Sequence, residues 1–198
     1  TYAALADPQY KGKVCARSSS NIYMLSLLAS QIAHNGESAA KNWAKGLLDN
    51  FARDPQGGDT DQLRGLVSGE CDIVVSNSYY FARAIRTDVD GVSAAIDQIG
   101  WVFPDQEGNG SHINVSAAGI LKNAPNKENA LRFLEYLASD SAQNYFASGN
   151  DEFPVVEGVG RSASVSQLGS FKADELNLSV LGENQAKAQE IYNAIGYK

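Results

Sequence analysis

The sequence is poor in the residues that build most metal sites, with two cysteines and two histidines among 198 residues. Cys15 and Cys71 have no histidine close to them in the sequence, so the spacing of a zinc site is absent. His34 lies near the end of a predicted helix and His112 opens an extended segment. Both positions are more typical of structural histidines than of metal ligands.

Basic residues and long apolar runs are also scarce. The chain has 16 Lys and Arg against 23 Asp and Glu, a formal net charge of −7 and a pI near 4.8. Nucleic-acid binding needs a basic face to neutralise phosphates, so that partner is not predicted. No apolar run could span a bilayer and Thr1 opens no signal-peptide pattern, so we expect no stable membrane insertion, and a mature protein or an excised part of one.

The residues of a hydrolytic active site are missing as well. Ser19 and Ser20 precede a predicted helix, where a nucleophile could lie, but no histidine or lysine base is identifiable for them. The G-x-S-x-G turn of the α/β-hydrolases does not occur either. The sequence therefore predicts a protein that is not an enzyme.

Two adjacent tyrosines, Tyr79 and Tyr80, end the apolar strand predicted over Cys71–Ser76 and begin a helix that continues through Arg86. Neighbouring side chains on a strand point to opposite faces, but at a strand end that turns into a helix they can converge. Phenolate is a hard oxygen donor suited to Fe3+. From the pair alone, the favoured interpretation is two half-buried aromatic residues at a strand edge.

A second strand-to-helix unit precedes this one and carries another tyrosine. A strand over Val14–Arg17 leads through Ser18–Asn21 into a helix with apolar residues at helical spacing, which Gly36 ends. Tyr23 lies in the first turn of that helix. Ligands of open parallel sheets bind outside the carboxyl ends of the strands, where Tyr23 and Tyr79–Tyr80 would all lie.

The remaining pattern predicts an α/β protein with a parallel-rich sheet flanked by helices. Tyr136 and Tyr145 have the spacing of core residues. The further predicted elements are helices over Ala39–Leu48, from Asp59 or Thr60 to Gly69, over Val92–Ile99, after Asn126, after Ser139 and over Asn184–Ile195, and a short strand over Trp101–Pro104.

Each cysteine stands at the start of a predicted strand. Cys15 and Cys71 could form a disulfide if the two strands are neighbours and both side chains face the same way. The alternative is that they remain two buried thiols, and the residues alone favour this alternative.

Four segments of the chain stand out together, namely Leu5–Cys15, Asn77–Tyr80, His112–Gly119 and Asn123–Ala130. They resemble the periplasmic ferric-iron-binding proteins of ABC importers, and the serine run before Tyr23 is similar to the cyanobacterial, iron-deficiency-induced branch of that family. The resemblance covers nearly the whole chain but only the later part of the family's length, so about the first third of a mature member is absent.

The resemblance implies a two-lobed type II periplasmic binding protein that closes over Fe3+. Residues 1–110 and 161–198 would form the C-terminal lobe, nearly complete. Residues 111–160 would hold the strand that crosses the hinge and helices of the largely missing N-terminal lobe.

The resemblance also implies a site. The metal ligands would be Tyr23, Tyr79 and Tyr80, with one further ligand from the missing N-terminal part. The residues that would form a second shell around the metal or bind an anion are Arg17, Ser19, Ser20, Asn21, Asn77 and Arg83.

The implied function is to carry Fe3+ in the periplasm and deliver it to an ABC permease in the inner membrane. Two alternatives remain open from the residues. One is a protein of the same fold that binds a small oxyanion or organic solute at the helix end formed by Ser18–Asn21. The other is a scaffold or partner-binding fragment whose missing lobe leaves apolar surface exposed.

Overall fold

The first strand-to-helix unit forms as the sequence predicts. In the computed structural model, which describes residues 1–198, strand β1 spans Val14–Cys15 and helix α1 spans Ile22–Asn35. Asn21 caps α1, since its side-chain oxygen accepts a hydrogen bond from the backbone N–H of Tyr23 at 3.0 Å. Gly36 ends the helix at a φ of 80°, a conformation that glycine adopts without the strain of a Cβ atom.

The sheet is smaller than predicted but parallel. Strand β2, Ile73–Val74, pairs in parallel with β1, and Phe51 forms an isolated parallel bridge with Val14 on the other side. The predicted strands Val14–Arg17 and Cys71–Ser76 therefore pair over two residues each. Because β1 and β2 run in the same direction, the loops after them leave from one edge of the sheet.

Helices make up most of the remaining structure. Helix α3 spans Asp59–Val67 and Gly58 is its N-cap, so Asp59 and Thr60, which the sequence suggested as alternative caps, are its first two residues. Trp101–Pro104 is irregular rather than a strand, and Val92–Ile99 contains a 3-10 helix over Ser93–Gln98. None of the helices has both the length and the apolar character needed to cross a bilayer. The other helices are α2 (Glu37–Asp49), α3 (Asp59–Val67), α4 (Ser78–Arg86), α5 (Lys127–Leu137), α6 (Asp140–Gly149), α7 (Ala163–Ser166), α8 (Ser179–Ile195) and two 3-10 helices (Ala3–Ala6, Pro8–Tyr10).

The buried apolar residues form two clusters. The larger packs α1 against α2 and α8 around β1, and it includes Met24, Leu28 and Trp43. The smaller lies between α3, α4 and α7 and includes Phe81 and Val165. Helices α1 and α4, which carry the tyrosines of interest, therefore each pack into one of the two clusters.

Cys15 and Cys71 are joined by a disulfide, so the interpretation as two thiols is wrong. Their Cα atoms are 5.9 Å apart, within the range that a disulfide spans, because Cys71 lies just before β2, which pairs with the strand that contains Cys15. The bond links positions 56 residues apart, and a loop of that length is typically stabilised by about 2–5 kcal/mol. It ties together the two strands that lead to the tyrosine-bearing helices.

Within the segment from 111 to 160, helix α5 is largely exposed to solvent. Helix α5 has no buried residue, and Leu131 and Phe133 on it are exposed. Tyr136 and Tyr145 are 56% and 69% exposed, so the prediction that they are core residues is wrong for this chain. Their helical spacing marks an apolar face, and no described residue covers that face.

His112 has a structural role, as its position in the sequence predicts. Its Nε2 lies 3.0 Å from the Ser26 hydroxyl on α1, and its backbone N–H donates to the Tyr2 hydroxyl at 2.9 Å. Burial lowers the pKa of the imidazole from 6.5 to about 4, with the Asp174 carboxylate opposing the shift and His34 adding to it.

Acid should destabilise the fold through this histidine. Because the pKa of His112 is depressed in the folded state, its contribution to stability is full above pH 6.5 and is lost as the pH falls toward 4. We expect protonation of His112 in the unfolded state to lower the free energy of unfolding by about 2 kcal/mol between about pH 7.5 and about pH 5. Urea unfolding of the wild type and His112→Gln at both pH values checks this, since the variant should lack that part of the slope. Equal slopes would refute it.

Candidate metal centre

Tyr23 and Tyr79 meet at the carboxyl edge of the sheet. Each is the second residue of its helix, α1 or α4, and the two hydroxyl oxygens are 2.8 Å apart. The residues are 56 positions apart in the sequence and reach one point because their helices begin just after the paired strands β1 and β2.

Tyr80 completes a tyrosine cluster, defined here as Tyr23, Tyr79 and Tyr80. Its ring lies against that of Tyr79, with the centroids 4.3 Å apart and the planes tilted by 33°. Burial raises the pKa of Tyr79 strongly, and the neighbouring hydroxyls of Tyr23 and Tyr80 raise it further. Without a bound cation Tyr79 therefore keeps its proton at neutral pH.

The positions of Tyr23 and Tyr79 on their helices favour the phenolate once a cation displaces the proton. Tyr23 and Tyr79 lie in the first turns of α1 and α4, where the partial positive charge of a helix N-terminus stabilises a phenolate. No group of three or more His, Cys, Asp or Glu side chains is placed to hold a metal ion anywhere in the chain. The tyrosine cluster is thus the place where several hard oxygen donors converge.

The two candidate arginines differ in their surroundings. Arg83 lies one turn beyond the pair on α4, with its guanidinium carbon 5.9 Å from the Tyr79 ring centroid and 5.7 Å from that of Tyr80. Arg17 forms an ion pair with Asp59, in which its Nη1 donates to Asp59 Oδ2 at 2.6 Å. Its buried Nε has no hydrogen-bond partner in the protein.

The polar residues before α1 are mostly occupied in building the turn. Asn21 caps the helix, and the buried Ser19 donates its backbone N–H to the carbonyl of Lys198 at 2.9 Å. Ser20 is exposed, and its hydroxyl lies 3.3 Å from that of Ser18. These contacts are those of an ordered helix N-terminus beside the tyrosine cluster.

Asn77 precedes α4 without capping it. Its side chain makes no cap hydrogen bond, and its buried Nδ2 has no acceptor in the protein. Its backbone N–H instead donates to Asp59 Oδ1 at 3.0 Å. Sequence reasoning missed Asp59 as part of this region, since an acidic residue at a helix start is read as a cap.

A comparison with protein families settles the class. The model of the bacterial extracellular solute-binding proteins matches residues 1–172. The chain belongs to this family. The expected resemblance to a solute-binding protein is thereby confirmed, and the family is extracellular by its description.

Individual relatives of this solute-binding protein are concerned with iron. It is 46% identical over 200 residues to "Iron uptake protein A2" of Synechocystis. It superposes with a TM-score of 0.95, at 48% identity, on a Trichodesmium protein solved in complex with iron and citrate, and with a TM-score of 0.96, at 36% identity, on a ferric binding protein from Campylobacter jejuni. The type II periplasmic binding-protein fold expected from the sequence is confirmed.

The chain is shorter than these relatives. All of it is covered in each of the three comparisons, but it spans 58% of the Synechocystis protein and 63% of each of the two solved chains. One lobe of the fold is therefore only partly represented among the described residues.

Proposed function

We propose that this chain is the part of a solute-binding protein that holds Fe3+ through the phenolates of Tyr23, Tyr79 and Tyr80. The observation that carries the proposal is the convergence of hydroxyls from two separate helices, with Tyr23 Oη and Tyr79 Oη 2.8 Å apart. The iron-related names of the relatives support the choice of cargo.

The charges favour the ferric over the ferrous ion. A phenol ordinarily titrates near pH 10, and the cluster raises the pKa of Tyr79 further, so only a strongly charged cation displaces the protons. Three phenolates would balance the three charges of Fe3+. Fe2+ has a smaller charge and gains less from the same oxygen atoms.

The residues around the cluster would adjust this charge balance. Arg83 over the two rings would offset the negative charge of any additional anionic ligand. Arg17 is neutralised by Asp59 and would act on the loop rather than on the metal. Ser19, Ser20 and Asn21 would present the N-terminus of α1, and Asn77 would offer its free Nδ2 to a co-bound group.

Membership of the family supports a transport role. We infer that the complete protein works in the periplasm and delivers iron to an ABC permease in the inner membrane, and that it carries cargo rather than catalysing a reaction.

We infer that residues 1–110 and 161–198 form one lobe, and that 111–160 belongs with a segment outside this chain that supplies a further ligand. The exposed apolar face of α5 supports that division, as does the greater length of the relatives.

A second candidate is a small oxyanion bound at the N-terminus of α1. Two buried donors without acceptors, Arg17 Nε and Asn77 Nδ2, favour it. An oxyanion does not require three converging phenols, and this is why the ferric proposal is preferred.

Equilibrium dialysis distinguishes these functions. The chain and the complete natural protein that carries it would be dialysed against Fe3+ presented by citrate, against Fe2+ under argon and against phosphate. We expect both proteins to retain one Fe3+ per chain, with Fe2+ retained far more weakly. Retention of phosphate but not iron would replace the proposal with the oxyanion alternative. Retention of neither would leave a scaffold or partner-binding fragment.

A further inference from the structure

Asp59 is a buried carboxylate that joins the two loops leading to the tyrosine cluster. It is the first residue of α3 and is 1% exposed. Its Oδ2 accepts from Arg17 Nη1 at 2.6 Å, and its Oδ1 accepts from the backbone N–H of Asn77 at 3.0 Å and from the Ser76 hydroxyl at 3.3 Å.

The partners of Asp59 lie on the two loops that lead to the tyrosine-bearing helices. Arg17 follows β1 and opens the loop that enters α1, while Asn77 is the residue before α4. The strands themselves pair over two residues each, so the sheet provides few hydrogen bonds near this edge. The carboxylate therefore carries much of the polar connection between the two helix starts.

An ionised carboxylate is the group that this position requires. Both oxygens accept from donors on opposite sides, and a buried charge is stable only when it is paired and hydrogen-bonded in this way. An amide of the same shape would place an N–H₂ group against either Arg17 or Asn77. That substitution would force two donors together and push the loops apart.

We propose that Asp59 is a positioning residue for metal binding, which sets the separation of the Tyr23 and Tyr79 hydroxyls without touching the cargo. The proposal rests on the ferric function argued above. Residues that hold metal ligands in place from outside the coordination shell are commonly worth 10- to 100-fold in affinity, and we expect about that loss in Asp59→Asn.

The test compares Asp59→Asn with Asp61→Asn in the complete natural protein. Asp61 lies on the same helix, where its carboxylate accepts from the Gly58 N–H at 2.7 Å and pairs with Arg64, but it contacts neither tyrosine loop. Fe3+ affinity would be measured by competition with citrate, and the visible spectrum of the iron-loaded protein would be recorded. We expect Asp59→Asn to bind about 10- to 100-fold more weakly, with a shifted phenolate-to-iron absorption maximum, and Asp61→Asn to match the wild type.

The outcomes separate the two proposals. If the wild type binds no Fe3+, the ferric function fails and this inference falls with it. If the wild type binds and Asp59→Asn has the same affinity and spectrum, the positioning role is overturned and the ferric function stands. If the loss is equal in Asp61→Asn, the effect belongs to the stability of α3, and the positioning role is again overturned.

A second variant keeps the proposal testable if Asp59→Asn does not fold. Should Asp59→Asn fail to give the near-ultraviolet circular dichroism of the wild type, Arg17→Gln removes the same ion pair from the other side. A tenfold loss of affinity with a shifted spectrum in folded Arg17→Gln supports the proposal, whereas wild-type values overturn it.

Discussion

Replacing Tyr79 with phenylalanine is expected to weaken Fe3+ binding by about 100- to 1000-fold. Tyr79 is the central member of the cluster, since its hydroxyl contacts that of Tyr23 at 2.8 Å and its ring lies against that of Tyr80. Structural zinc sites with four ligands gain about 10–16 kcal/mol in total, and by that measure one ligand accounts for a few kcal/mol. The change removes a single oxygen atom from a half-buried ring, so the fold should persist.

The control for Tyr79→Phe is Tyr136→Phe, which removes the same atom from an exposed residue on α5. Competition against citrate, analysed for both variants, gives the two affinities. Tyr23→Phe and Tyr80→Phe should each show a loss of the same kind as Tyr79→Phe. Wild-type affinity in Tyr79→Phe would exclude this residue as a ligand.

Iron affinity should also fall steeply in acid. The pKa of Tyr79 is raised by burial and by the adjacent hydroxyls, so the phenol keeps its proton until the cation displaces it. Each phenolate that forms releases one proton, and each released proton costs about tenfold in affinity per pH unit on acidification. Three phenolates would therefore give up to about a thousandfold loss per unit.

Proton release can be counted directly. In a pH-stat titration near neutrality, an iron chelate of known protonation is added and the base consumed is recorded. We expect three protons from the wild type and two from Tyr79→Phe once the chelate's own protons are subtracted. An affinity that is flat with pH, or no released proton, would contradict ligation by phenolates.

Local signals in the sequence predicted the elements that bring the tyrosines together. The apolar spacing from Ile22, the Asn21 cap and Gly36 predict α1 over the residues where it occurs, because caps and periodicity act within one or two turns. The placement of Tyr23 and Tyr79 at helix starts after parallel strands follows from the same local patterns. Their contact needed one further assumption, that the strands are neighbours, and the structure supplies it.

Features that depend on distant residues were not predictable. The disulfide between Cys15 and Cys71 requires knowledge of strand register across 56 positions. Asp59 looks like a helix cap locally, and its real partners lie 42 and 18 residues away.

Helical spacing likewise cannot tell a covered face from an uncovered one. It marks Tyr136 and Tyr145 as apolar-face residues, whereas their exposure depends on what packs against that face.

The most direct test of the account is the visible spectrum of the Fe3+-loaded protein. Phenolate bound to Fe3+ gives a charge-transfer band that oxygen ligands from carboxylates or water do not give. We predict such a band in the wild type, reduced in each single Tyr→Phe variant of the cluster and absent from the variant that lacks Tyr23, Tyr79 and Tyr80 together. Bound iron without a band, or a band that survives in the triple variant, would contradict the tyrosine cluster as the iron site.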